Sequence, residues 1–431
     1  MIDTATDMPF VESVEDLFSS IIDGRFTKDG SRLEVSGNFN CSNKNLTSLV
    51  GVPQSVGGYF DCSNNNLTTL KGSPLSVRSF NCSGNKKLTS LEGGPQFVGG
   101  DFGCSDNDNL TSLKGGPQLV GSTFYCNNNT NLISFEGGPK SVGGDFYCNS
   151  NENLTSLEGS PLSIGGRFDC SNNAKLESLV GGPQSVVRNF DVINNKNLTS
   201  LEGCPQSLRE FKCNHNNNLT SLQGGPRSVR NFVCLNNANL TSLEGAPQTV
   251  SGDFDAISNK NLTSLEGSPQ SVKGGFYCKN NNLTTLKGGP QSVGGFYDCS
   301  DNNLTSLEGA PQSVGGEFWC NNNLKLASLN GAPLSIGGRL HCTHNRNLTS
   351  LTNINSYIDK IQGTTTSVNF NFTGCPIKSN VLGLLKISGL KKVKFDDKKL
   401  QAIMVKYLPL GSVVNCIDEL INEGYEEWAK W

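Results

Sequence analysis

Sixteen cysteines and three histidines (His215, His341 and His344) are the residues of this chain with the most chemistry to offer. Thiols can pair as disulfides, hold zinc, or attack as thiolates. Their spacing decides among these. Thirteen of them (Cys41, Cys62, Cys82, Cys104, Cys126, Cys148, Cys170, Cys213, Cys234, Cys278, Cys299, Cys320 and Cys342) recur once per repeated unit, and none sits in a Cys-x-x-Cys pair. Three histidines are poor material for zinc. A reduced thiol instead packs as a small hydrophobe, so the pattern predicts free core thiols and a reducing compartment. Elsewhere no Ser/His/Asp set, paired carboxylates or phosphate-binding glycine loop stands out. The expectation is a non-enzyme with no catalytic residue, cofactor or metal.

Charge and hydropathy narrow the partners. A net charge of −3 is too small to steer nucleic acid or an acidic membrane surface. No run of eighteen apolar residues is present, as a membrane-spanning helix would need. Asn-Leu-Thr triplets at Asn45, Asn109 and Asn153 match glycosylation acceptors. However, the start Met1-Ile2-Asp3-Thr4-Ala5-Thr6-Asp7 lacks a secretory signal's basic and apolar segments, and a cytoplasmic protein is expected.

The elements that carry these thiols come from an internal period. Aligning one leucine gives Leu49, Leu70, Leu91, Leu113, Phe135, Leu157, Leu179, Leu201, Leu222, Leu243, Leu265, Leu286, Leu307, Leu329 and Leu351, every step 21 or 22 residues. The unit reads V-G-G-x-F-x-C-x-x-N-x-L-T-S-L-x-G-x-P-x-S. Phe-x-Cys has the period of a short strand with both side chains inward. The Asn three residues after the strand cysteine recurs in fourteen of fifteen units, with Lys44 in the first. Stacked in line, such amides can bond backbone groups of neighbouring turns. Gly-x-Pro opposes a helix and suits an irregular, polyproline-like return. The fold expected is an α/β-type repeat solenoid, mostly β: a horseshoe of about fifteen turns, with short parallel strands on its concave face and helical caps.

The phrase Phe60-x-Cys62-x-x-Asn65-x-Leu67-x-x-Leu70 resembles the LxLxxNxLxxL signature of leucine-rich repeats. The short period and Gly-x-Pro resemble the subfamily found in secreted bacterial effectors, while the wording LTSLEGxPxSVGGxFxC is more similar to repeat proteins of tailed bacteriophages. The likeness covers roughly residues 35–352. Cysteine on the strand, and Gly-x-Pro in place of Leu-Pro, depart from the effector pattern. The resemblance implies a protein-binding scaffold, made by a phage to bind a bacterial host protein and inhibit, for instance, its defence; the alternative is a virion-associated adhesin or structural component. Some such effectors carry a ubiquitin-ligase domain with a Cys-x-Asp nucleophile. Cys416-Ile417-Asp418 matches those letters, yet it falls in a predicted amphipathic helix and reads as a packing cysteine.

The sequence divides into an N-terminal cap over 1–36, a solenoid over 37–352 and a C-terminal cap over 353–431. The first cap is expected to hold a helix over 12–22, with Val14, Leu17, Phe18, Ile21 and Ile22 on one side, then a strand at Leu33-Glu34-Val35. The last is expected to hold a strand at Ser367–Phe372 and three helices. One is capped by Asp396 or Asp397, with Leu400, Ile403, Met404, Tyr407 and Leu408 on one face. The next is capped by Ser412, with Val413, Ile417, Leu420 and Ile421 inward. Lysines 386, 391, 392, 394, 398 and 399 read as a solvated surface.

Partner contacts are expected where the core leaves side chains free. Between the core Phe and Cys, the outward position holds Tyr125, Tyr147, Val233, Tyr277, Trp319 and His341. After the cysteine it is usually Ser or Asn but becomes Ile193, Leu235 and Ile257. Aromatic anchors and a local apolar patch are the composition of binding hot spots. The same turns carry Val192 and Ala256, the two replacements of the strand cysteine.

Overall fold

The computed structural model describes residues 22–23, 26–29, 32–352, 354–358, 360–361 and 370–430. The chain forms two compact units, residues 1–195 and 196–431. Each is a parallel-strand solenoid, in which the pairings between turns join the same repeat position of adjacent turns. In the first unit the aromatic ladder runs Phe39↔Phe60↔Phe80↔Phe102↔Phe124↔Phe146↔Phe168↔Phe190. In the second it runs Phe211↔Phe232↔Phe254↔Phe276↔Tyr297↔Phe318↔Leu340↔Phe370↔Val393. The ladder therefore continues past the last full repeat of the sequence.

The Gly-x-Pro return is irregular, as expected. Between it and the aromatic strand each turn adds what the sequence reading did not include, a second parallel ladder at its Ser-Val pair. Ser141–Val142 pairs with Leu119–Val120 on one side and with Ser163–Ile164 on the other. The reason is again a period of two: the valine of each pair is buried while the serine faces out. In most turns the Gly-Gly that follows breaks this strand from the aromatic one. Where Arg-x replaces it, as in Ser76–Asn81, Ser207–Lys212 and Ser228–Val233, one six-residue strand runs through.

A turn contributes a valine, a phenylalanine, a thiol and two leucines to the core, all nearly inaccessible. Each large apolar side chain contributes roughly 1.5–3 kcal/mol on burial, but only once neighbouring turns cover it. The rings stack in register, Phe102 on Phe124 at 5.3 Å and 6° and Phe124 on Phe146 at 5.1 Å and 9°. Phe135, standing in a leucine slot, meets Phe146 edge-on at 5.5 Å, and the stack tilts over the rest of the first unit: Phe168 and Phe190 are T-shaped, whereas Phe254 and Phe276 in the second unit stack at 9°.

Polar atoms inside this core are satisfied by the asparagine ladder. Asn151 Nδ2 donates to the carbonyl of Cys148 (2.8 Å), and Asn151 Oδ1 accepts from the backbone N–H of Asn129 one turn back (2.8 Å). Asn129 and Asn107 repeat the pattern, while Asn85 donates in the same way and its Oδ1 accepts from Leu67 N. The residue before each ladder asparagine is left-handed: Asn64, Asp106, Asn128, Ser150 and Asn172 have φ between 53° and 62°. Asn and Asp tolerate that region best after glycine, which explains the asparagine runs. His215 and His344 occupy the same position. The first glycine of Gly-x-Pro is held more strictly. Gly137 has φ +79°, and a Cβ there would come within 2.5 Å of Lys114 Cα in the preceding turn.

At the N-terminal end Arg32–Val35 forms a strand, as expected. It hairpins with Phe26–Asp29 and pairs in parallel with Ser55–Asp61. The helix expected over 12–22 lies outside the described residues except for Ile22, which is in a strand antiparallel to Asn38–Asn40. Towards the C-terminus Phe370–Asn371 joins the ladder, while residues 367–369 lie outside the described set. Cys375 stands at the ladder-asparagine position of that turn, and its thiol donates to the carbonyl of Cys342 at 2.8 Å. Then come a 3₁₀ turn at Val381–Lys386 and two helices, Lys398–Tyr407 (α1) and Val413–Asn422 (α2). Asp397 caps α1 by accepting from Lys399 N and Leu400 N, whereas Asp396 accepts from Gly374 N. Leu400, Ile403, Met404, Tyr407 and Leu408 are buried.

Two expectations for α2 fail. Ser412 makes no side-chain cap, and the buried residues are Cys416 and Leu420 while Ile421 is exposed. Cys416 is buried, in keeping with its reading as a packing cysteine. Tyr407 Oη donates to Glu419 Oε2 at 2.6 Å and fixes that face.

If the asparagine ladder fixes the register, Asn151→Ala should cost on the order of 1–3 kcal/mol in urea unfolding, because it orphans the buried N–H of Asn129 and leaves the carbonyl of Cys148 with only the longer bond from Asn173 Nδ2. Cys148→Ala, which mimics Ala256 in its turn, should cost roughly 1–2 kcal/mol. Equal losses would count against the ladder.

Candidate protein-binding surface

A strand that turns one phenylalanine inward must turn both of that residue's neighbours outward. The outer face of the aromatic ladder therefore has two flanking rows plus the row after the cysteine. Sequence reasoning singled out the second and third of these. It missed the first, which reads Tyr59, Ser79, Asp101, Thr123, Asp145 and Arg167 in the first unit and Asp253, Phe296, Glu317 and Arg339 among residues of the second. The strand alternation itself was the signal that could have found it.

In the first unit Tyr125 and Tyr147 stack at 5.5 Å and 11°. The Arg167 guanidinium lies 5.7 Å from the centre of the Tyr147 ring and pairs with the carboxylates of Asp169, at 2.9 Å, and Asp191. Tyr147 Oη donates to Asp145 Oδ2 at 3.1 Å. Tyr125 is exposed, but Tyr147 is half-buried because Arg167 and Asp145 pack on it. Ile193 is half-buried, its N–H donating to Ser171 Oγ.

In the second unit Val233 stands opposite Asp255, and Leu235 and Ile257 occupy equivalent places in successive turns. All three are half-buried. Tyr277 pairs with Asp255 on one side and Asp298 on the other. Trp319 and His341 rings lie 5.1 Å apart. Trp319 Nε1 donates to Glu317 Oε2 at 2.8 Å, and His341 Nε2 lies 3.2 Å from the same oxygen. Burial holds His341 below its usual value against the opposing pull of Glu317. Tyr277, Trp319 and His341 are half-buried, not exposed as the sequence suggested, since neighbouring rows lean on them. Of the four apolar residues expected to form one patch, Ile193 belongs to the first unit and the other three to the second.

The arrangement is poor in nucleophiles. Burial pushes the ladder thiols of Cys104, Cys126 and Cys148 far up, and Cys416 to about 11. Cys62 and Cys148 donate to the next turn's backbone carbonyls. Among the described residues no group of three metal-ligating side chains is placed to hold an ion, and no helix is long and apolar enough to cross a membrane. What the rows supply is a fixed pattern of aromatic rings, carboxylates and amides.

Asp255 is the most perturbed carboxyl of this face. Burial first and Asp253 second push it up to about 6, with Lys279 opposing. A carboxyl whose folded value lies above its unfolded one stabilises the fold at low pH, and that contribution is lost as pH rises through about 6. Asp255→Asn should therefore be more stable than the parent above pH 6, by roughly 1–2 kcal/mol after allowance for solvent screening, with the gap closing below about pH 4. Thermal unfolding across pH measures this; a gap that widens on acidification would reverse the assignment.

No family model matches the chain, and no curated protein matches it. Among solved structures, YopM from Yersinia enterocolitica WA-314 aligns at 13% identity over 83% of this chain and 91% of that one, with a TM-score of 0.19. A superposition that poor adds nothing to the geometry described above.

Proposed function

We propose that this protein is a non-catalytic protein-binding scaffold that presents the outer rows of its aromatic ladder to a partner. The observation that carries this reading is the contrast between slots on one strand. The inward slot is Phe in nearly every turn, while the adjacent outward slot changes from Asp61 to Asn81, Gly103, Tyr125, Tyr147 and Asp169. The core dictates the first and leaves the second to recognition. Rigid strands also lower the entropy lost on binding, because the side chains are ordered beforehand.

The contacts proposed are Tyr125, Tyr147, Ile193, Val233, Leu235, Ile257, Tyr277, Trp319 and His341, with Leu235 and Ile257 central. The wording of the repeat supports a finer reading: a bacteriophage product that binds a bacterial host protein in the cytoplasm of the infected cell. The thiol ladder, which suits a reducing compartment, agrees with that location.

Leu235→Asp with Ile257→Asp tests this reading. Equivalent positions hold Asn214 and Lys279, so the fold accepts polar residues there. An immobilised parent chain should retain a defined protein from bacterial lysate, and the double variant should retain at least about tenfold less of it at an unchanged unfolding midpoint. Equal retention by a folded variant, or no protein retained by the parent, overturns the reading.

A further inference from the structure

The first unit contains one place where the outward row has no side chain. Between Asn81 and Tyr125 stands Gly103, and a Cβ built there would meet the Asn81 side chain at 2.8 Å and Ser83 Oγ at 3.2 Å. Gly103 lines a recess of about 450 Å³, with the Asn81 side chain leaning over it. Tyr59 and Tyr125 both line it, from turns separated by two others, so the rings stand at opposite ends along the ladder. Asn81, Ser83, Ser105 and Asn127 supply polar lining, and Asp101 and Asp106 supply carboxylates. Asp61 adjoins it, accepting from Asn81 Nδ2 at 3.2 Å.

These carboxylates lack a cation. The described ion pairs of the first unit join Lys86 to Asp108, Lys114 to Glu92, and Arg167 to Asp169 and Asp191; Asp61, Asp101 and Asp106 take part in none. Their Oδ1 atoms accept from Ser63 N, Thr123 N and Asn128 Nδ2 respectively. The field they make is felt nearby: burial first and Asp61 second push the Tyr59 phenol up to about 12, with Asp101 adding to it.

The molecule itself shows what completes such a setting. Two turns further on, Tyr147 with Asp145, Asp169 and Asp191 is filled by the chain's own Arg167, laid over the ring and paired with two carboxylates. The recess has the same kinds of group and no internal arginine or lysine. We infer that the Gly103 recess receives a lysine or arginine side chain of the bound protein, its charge against Asp101 and its stem against a tyrosine ring. This rests on the scaffold reading above. A cation over tyrosine and a charge-assisted hydrogen bond to a carboxylate are each strongest when partly desolvated, as a recess allows.

The full-length chain is titrated at low salt with octalysine, octaarginine, octaglutamate and spermidine. Asp101→Asn removes the charge, and Gly103→Tyr fills the recess with the residue found in the next turn. Glu266→Gln, an exposed carboxylate of the second unit outside the three outer rows, serves as control. The parent should bind octalysine or octaarginine but not octaglutamate, and each recess variant should weaken that binding roughly fivefold or more. The control should change it by less than about twofold. Unfolding midpoints show that the variants fold.

Undiminished peptide binding by folded recess variants overturns the proposal, as does an equal loss in the control, which marks diffuse charge. Binding of spermidine with none of either cationic peptide also overturns it, in favour of a free polyamine site. Loss of protein capture by the Leu235/Ile257 variant alongside unchanged capture by Gly103→Tyr leaves the scaffold standing and removes the recess from it. Recess-dependent peptide binding with no protein captured does the reverse.

Discussion

A buried carboxamide facing the next turn of backbone is the interaction on which the rest of this structure depends. A chain that bends every few residues leaves N–H and C=O groups inside a core with no strand to satisfy them, and each would cost several kcal/mol if orphaned. Asn85, Asn107, Asn129, Asn151 and Asn173 settle that cost from within, donating to their own turn and accepting from the one before. The arrangement works only if adjacent turns are in register. It therefore sets the register of the phenylalanine and valine ladders as well.

Register in turn explains the thiols. A cysteine beside the phenylalanine fits the narrow space between stacked rings and ladder amides, and its sulfur donates to the next turn's carbonyl. A larger side chain would push the strands apart; a smaller one would leave a void. Val192 and Ala256 are accommodated in that slot, both fully buried. The chemistry that sixteen cysteines seemed to promise is thus absorbed into packing, with burial disfavouring the thiolates that reaction would need.

With the interior so constrained, variation is displaced to the outer rows. There the two kinds of electrostatic environment differ in how they are completed. Around Tyr147 the carboxylates are neutralised internally by Arg167, so that stretch offers a sealed, half-buried surface. Around Gly103 similar groups remain open.

The sequence by itself determined the solenoid, its period, the inward Phe-x-Cys strand and the asparagine ladder, because each of these is a regular spacing repeated in every turn. The capping of α1 by Asp397 and its buried face were legible too, from a local capping residue and helical periodicity. Only the tertiary structure decided the rest. The Ser-Val ladder was hidden because two residues are too short a run to read as a strand until a neighbouring turn pairs with them. The Gly103 recess joins Tyr59, Asp101 and Tyr125, which belong to three different turns. The exposure of Ile421, which helical periodicity had placed inward, depends on how α2 meets its neighbours. Periodicity tells which way a side chain faces; what stands beside it is settled by the packing of residues distant in the chain.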